Sequence, residues 1–330
     1  MKKNALFCSV LLVSPIVNHA AFAQGSITIY GIVDVGIIKE NSSNTAGSAL
    51  KLESGLQSQS RIGFKGSESL GSDLTANFVL ESGLNADTGS YAQNLGFSSQ
   101  SWVGLSGTFG NIRFGRQFTP YFAAVTTSEP FDTSGPGDAT RLLASSGYRM
   151  NNSIKYSLPY ANGWYGDIAY GAGELAGNNS ANRQLSADFG YAHGPVDIKL
   201  GYHNVNDANG SNPIRHLLMG GTYDFGLVKL WLIYGTSKDS MALDTRDTLL
   251  GLTAPVGAGL FAVDYIRKTD RVNNNANATQ MALGYYYPLS LRTNLYAIHS
   301  RLSNDQNASY SVVVPGSSNR ITAIGMRHKF

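Results

Sequence analysis

From Gly25 to the end of the chain the apolar and polar positions alternate with a period of two, not 3.6. Ile27, Ile29, Gly31, Val33, Val35 and Ile37 interleave with Thr28, Tyr30, Ile32, Asp34 and Gly36. The same alternation recurs at Leu74–Leu80, Leu185–Tyr191, Val196–Tyr202 and Met281–Tyr287. In the last stretch, Ile324, Met326, His328 and Phe330 share one face while Gly325, Arg327 and Lys329 share the other. Successive side chains of a strand point to opposite faces, so each segment predicts a strand with one apolar and one polar face. The segments run about 9 to 15 residues, longer than the usual strand of a water-soluble domain and long enough to cross a bilayer at a tilt.

The connections are of two kinds. Short turns near Ser69–Ser72, Phe109–Asn111, Pro159–Gly163, His193–Pro195, Phe225–Gly226, Pro255–Gly259 and Pro288–Ser290 separate longer polar loops. Alternating short and long connections predict a barrel with tight turns at one rim and larger loops at the other. The expected fold is all-β: a transmembrane, antiparallel, 16-stranded β-barrel in one domain over residues 24–330. A final strand that ends on Phe330 fits closure, because a barrel in lipid must pair its last strand with its first. At this strand count the lumen holds water. One connection is different. Gln117 to Tyr148, the third long loop, has no clear alternation, and a loop of that length in a compact fold is usually functional. It is expected to fold into the pore.

Composition supports this reading. Charged residues are only 14% and aromatics 11%, with 18 Tyr and 37 Gly, whereas soluble domains carry roughly 25% charge. Residues 1–23 read as a cleaved secretory signal peptide: Lys2 and Lys3, an apolar run, then Ala21-Phe22-Ala23. The single cysteine, Cys8, lies in that leader, which excludes disulfides and cysteine–metal sites from the mature chain. Loss of Lys2 and Lys3 lowers the formal charge from +3 to +1, too little for a nucleic-acid partner. The histidines His193, His203, His216, His299 and His328 show no paired ligand spacing, so no metal and no cofactor is expected. Gly171-Ala172-Gly173 lacks the dinucleotide spacing, and no G-x-S-x-G elbow occurs, so no catalytic residue is assigned. Trp164, Tyr170, Tyr202, Trp231, Tyr234 and Tyr285, near strand ends, suit aromatic girdles at the two interfaces.

Several motifs, in order along nearly the whole mature chain, carry a resemblance. They are Ile29-Tyr30-Gly31, the run from Ser60-Arg61-Ile62-Gly63-Phe64 to Gly71, Trp102-Val103-Gly104-Leu105, Phe114-Gly115-Arg116-Gln117, Arg149-Met150-Asn151-Asn152-Ser153-Ile154 and Gly325–Phe330. On these the chain resembles the trimeric 16-strand general-diffusion porins of Gram-negative bacteria, in the branch found in Burkholderia-like and Neisseria-like organisms. The resemblance implies a homotrimer in the outer membrane, with basic residues on the barrel wall facing acidic ones on the inward-folded loop. The basic positions carried over are Arg61, Arg116 and Arg149; the acidic ones are Glu81 on the wall and Glu129 and Asp132 on the loop. Two departures, Ile32 and Ser99, stand where many relatives have a basic residue, so the wall is expected to be less basic.

Arginine stays charged at any working pH, so these positions would hold a fixed positive potential. Strand parity turns Arg61 to the lumen. Arg116 shares the parity of Ile112 and Phe114, so it reaches the lumen only if Gly115 permits a bulge. Tyr121 and Tyr148 border the loop and are expected to pack rather than line it. The function expected is a water-filled channel for passive diffusion of small hydrophilic solutes and ions, with a mild anion preference and no enzymatic activity. Its partners would be those solutes, outer-membrane lipid and the barrel assembly machinery, which would read Phe330 as an assembly signal. Alternatives are a substrate-specific outer-membrane channel, or a barrel acting as an adhesin or lipid-modifying enzyme.

Overall fold

Alternation of the kind described above leaves each strand with one face for water and one for hydrocarbon, and the chain meets both by curling into a cylinder. The computed structural model describes residues 25–42, 48–143 and 147–330; the leader expected at 1–23 lies outside the described residues. Among the described residues there are sixteen antiparallel barrel strands. They are β1 (Ser26–Ser42), β2 (Ser48–Ser54 and Arg61–Gly71), β3 (Leu74–Asn85), β4 (Gln100–Gly107), β5 (Gly110–Phe118), β6 (Arg149–Ser157), β7 (Trp164–Gly171) and β8 (Gln184–His193). There follow β9 (Val196–Val205), β10 (Ile214–Asp224), β11 (Lys229–Lys238), β12 (Asp244–Val256), β13 (Gly259–Asp270), β14 (Ala278–Pro288), β15 (Thr293–Asn304) and β16 (Ser318–Lys329). Closure is between β1 and β16, from Ile32 opposite Lys329 to Ser42 opposite Asn319, so neither terminal strand leaves an open edge.

The burial pattern is that of a soluble protein turned inside out. Leu200, Leu217, Met219, Leu250 and Met281 are more than half exposed on the outside, and Trp164, Tyr170 and Tyr234 nearly so. A continuous apolar exterior of this kind fits hydrocarbon, not water. The inner wall instead buries charge in cross-strand pairs: Lys268 with Asp247 at 2.6 Å, Lys155 with Asp167 at 2.9 Å and Lys199 with Asp188 at 3.8 Å. Tight turns close the short-loop rim; at Ser72-Asp73 both residues have positive φ, the geometry whose twist matches flanking strands. One girdle assignment is corrected. Trp231 lies between outward-facing neighbours and therefore points inward, where its Nε1 donates to Thr253 Oγ1 at 3.1 Å and Lys229 sits over its ring. Parity, which puts Trp231 opposite to Tyr234, overrides its position near a strand end.

The described part of the segment after β5, residues 119–143, is packed against the inner wall. Thr119 caps a seven-residue helix, α1 (Pro120–Thr126), by accepting the Phe122 N–H at 3.1 Å, and Pro120 fits its first turn. Tyr121 N–H donates to Ser186 Oγ of β8 at 3.1 Å, and its buried ring lies against His203 and His216. Further along, Phe131 approaches Gly284 and Ser128 approaches Gly220 so closely that a Cβ at either glycine would clash. Arg141 reaches Ser300 Oγ at 3.1 Å, and Gln280 donates to the Asp138 carbonyl at 3.2 Å. Leu142 and Val125 join inward residues Leu218, Ile233, Leu249 and Ile266 in one apolar cluster. That explains runs such as Leu217-Leu218-Met219, apolar on both faces: one side meets the exterior, the other the loop. A purely polar inner face, as alternation suggested, therefore holds only where the loop leaves the wall uncovered.

Candidate functional site

β2 is broken between Ser54 and Arg61, and the break builds part of the site. Asp34 of β1, fully buried, accepts the backbone N–H groups of Gln57 at 2.7 Å and Ser58 at 2.6 Å, and Tyr296 donates to its other oxygen. This fixes Gln57, Ser58 and Gln59 as an excursion on the lumen side before the strand resumes at Arg61. Nothing in the alternation signals those three residues, because the excursion depends on a contact 23 or more positions away.

A cavity of about 500 Å³ lies between this stretch of wall and the loop, lined by Arg61, Glu81, Arg149, Asp132, Arg327 and Lys329 among others. Arg61 stands 3.5 Å by its Nε from Glu81, whose carboxylate also accepts the Tyr30 hydroxyl at 2.9 Å. Arg149 opens β6, donates to Ser99 O at 3.1 Å and Gln59 Oε1 at 2.9 Å, and lies over the Phe118 ring. Three neutral or aromatic contacts hold the Arg149 guanidinium, and the Glu81 carboxylate holds that of Arg61, so both face the cavity with little conformational freedom. The loop side contributes Asp132, in the left-handed region at φ 59°, whose carboxylate is 66% exposed. It pairs with Arg327 at 3.3 Å and accepts Ser58 Oγ at 3.4 Å.

Two other residues named from the sequence sit elsewhere. A bulge between Gly115 and Gln117 does redirect β5, but Arg116 turns to Ser98 O at 2.8 Å, Gln93 Oε1 at 3.3 Å and Asn151. It ties β5 to the connection before β4 and is not among the residues lining the cavity. Glu129 is only 2% exposed; its carboxylate accepts the N–H of Phe131 at 2.8 Å and that of Thr133. Burial pushes this carboxyl well above the usual carboxylate range, against the pull of those two hydrogen bonds. The group is occupied inside the loop, where it shapes the turn that presents Asp132.

Arg327 and Lys329 were legible but not assigned: both share the inward parity of β16, opposite to Ile324 and Met326. Phe330 pairs with Gly31 through two backbone hydrogen bonds of 3.1 Å. The site is thus a wet gap with four cations and Glu81 on the wall and one exposed carboxylate on the loop. Such an arrangement sorts solutes by charge and polarity.

Comparison with known proteins agrees with this geometry. The family model described as Gram-negative porin matches residues 9–307. Outer membrane porin protein 32 of Delftia acidovorans is 30% identical, over 100% of this chain and 100% of its own length. Major outer membrane protein P.IB of Neisseria meningitidis serogroup B is 25% identical over 99% of this chain and 100% of its own. Among solved structures, an anion-selective porin from Comamonas acidovorans superposes with a TM-score of 0.84 at 29% identity, covering 93% of this chain and 100% of that one.

Proposed function

From the premise that this chain belongs to the Gram-negative porin family, we propose that its eyelet is a passive, anion-preferring filter set by Arg61, Arg149, Arg327 and Lys329 against Asp132 and Glu81. The protein is an outer-membrane channel for diffusion of small hydrophilic solutes and ions. The observation that carries the selectivity is the imbalance at the cavity: four guanidinium or ammonium groups against two carboxylates, one of them nearly buried. A unit charge about 7 Å from a permeating ion is worth about 0.6 kcal/mol in bulk water and about 2.4 kcal/mol at an effective dielectric of 20. A few such charges suffice to bias traffic without trapping it. Opposed signs across the gap also make a transverse field, which favours solutes with dipoles over apolar ones. The anion selectivity named for the Comamonas structure supports the sign.

Arg116 and Glu129 act in this reading as supports, one for the wall and one for the loop. The functional unit is a homotrimer, exported with its leader cleaved after Ala23, and Phe330 is read by the barrel assembly machinery. No enzymatic step is assigned. Single-channel recording of the purified protein in a planar bilayer tests the proposal. Ohmic steps in groups of three with a reversal potential favouring chloride are expected. A silent bilayer, or a reversal potential favouring potassium, would sink it; a current blocked by one particular solute would instead mark a substrate-specific channel.

A further inference from the structure

The 500 Å³ cavity has a neighbour. A larger one, about 780 Å³, lies on the far side of the loop, toward the short turns at Pro255 and Pro288. The two share four lining residues: Thr126 and Asp132 on the loop, Arg327 and Lys329 on β16. A solute moving from one chamber to the other therefore passes between the loop and the last strand, below Arg61 and Arg149.

Resting on the channel reading above, we infer that this lower lip is a second anion-binding step, formed by Arg292, Arg327 and Lys329, for small doubly charged oxyanions. Arg327 is fixed by Ser58 Oγ at 2.7 Å, Asn294 Oδ1 at 3.1 Å and Asp132 at 3.3 Å. Lys329 follows two residues later on the same face, roughly 7 Å along the strand. Arg292 is set beside it, since Lys329 N–H donates to the Arg292 carbonyl at 2.8 Å. Among the described residues, neither Lys329 nor Arg292 has a carboxylate within ion-pair distance, and both are exposed. The acids of the larger chamber are engaged elsewhere: Asp132, though exposed, pairs with Arg327 at 3.3 Å, Asp197 accepts the Tyr165 hydroxyl at 2.5 Å, and Glu129 is buried in the loop. Two unpaired cations beside a fixed guanidinium hold a divalent oxyanion better than chloride. The divalent ion collects two Coulomb terms, and its oxygens match the donors of arginine and lysine.

The test is conductance against concentration for reconstituted wild-type channels in potassium phosphate at pH 7.5, in potassium succinate and in potassium chloride. Saturation in phosphate and succinate, at a concentration about tenfold below that for chloride, is expected. The double variant Arg292→Gln/Lys329→Gln should lower the phosphate-to-chloride affinity ratio about tenfold, and Arg61→Gln about threefold or less. Each single variant guards against failure of the double to fold, which heat-modifiable gel migration reports. Wild-type conductance linear in phosphate overturns the inference, as does a double variant with an unchanged ratio. Saturation lost in Arg61→Gln but kept in the double variant would move the site to the upper wall. A wild-type protein that forms no channel at all would instead strike the diffusion reading itself.

Discussion

Replacing Arg61 by glutamine changes the charge of the upper cavity by one unit without dismantling its wall. Arg61 is one-third exposed and contacts Glu81 at 3.5 Å, but Glu81 keeps the Tyr30 hydroxyl at 2.9 Å and stays in place. The substitution therefore removes a cation and leaves the carboxylate uncompensated. At about 7 Å the lost term is about 0.6 kcal/mol in bulk water, and a Debye length of about 10 Å in 0.1 M salt cuts it to roughly half. The anion loses that amount and the cation gains it, so the permeability ratio should shift by about 0.6 kcal/mol, close to threefold. A lower effective dielectric enlarges the shift. The assay is the reversal potential in a tenfold potassium chloride gradient, with Arg267→Gln on the exposed outer face as a charge-matched control. The Arg267 variant should leave the ratio in place. An Arg61 variant indistinguishable from wild type, or one matched by the Arg267 control, would refute the claim that local lumen charge sets selectivity.

Asp132→Asn should act in the opposite sense, raising anion preference by a similar factor; because Asp132 is 66% exposed, the stability cost should be below about 1 kcal/mol in thermal melts. Tyr121→Ala removes a ring that is 3% exposed between α1 and two histidines of the wall, at a local cost of about 3 kcal/mol. Larger, noisier conductance and new protease sensitivity within Gln117–Tyr148 are expected, and a quiet channel of wild-type size would contradict the anchoring role. Burial holds the Glu129 carboxyl above its unfolded value, so the native state binds its proton more tightly. Its contribution to stability is present at low pH and lost as pH rises through the raised folded value. Glu129→Gln should flatten that decline in a series of thermal midpoints across pH, with a constant offset for the lost acceptor; parallel profiles would count against it.

Alternation of side chains alone determined the strand content, the outward apolar belt, the inward parity of Arg61, Arg327 and Lys329, and the length of the loop beyond Gln117. Those properties follow from a period of two and a bilayer of fixed thickness, both local or external to the fold. The tertiary structure decided what no window along the chain could. Asp34 draws residues 57–59 into the lumen, Gly220 and Gly284 make room for the loop, and Leu218 and Ile266 turn inward because the loop covers them. It likewise separated Asp132, exposed and opposite Arg327, from Glu129, three residues earlier and sealed inside the turn. Parity says which wall a side chain faces. Whether its charge reaches a passing ion depends on partners far along the chain, brought within 3 Å or so only when the barrel closes and the loop packs into it.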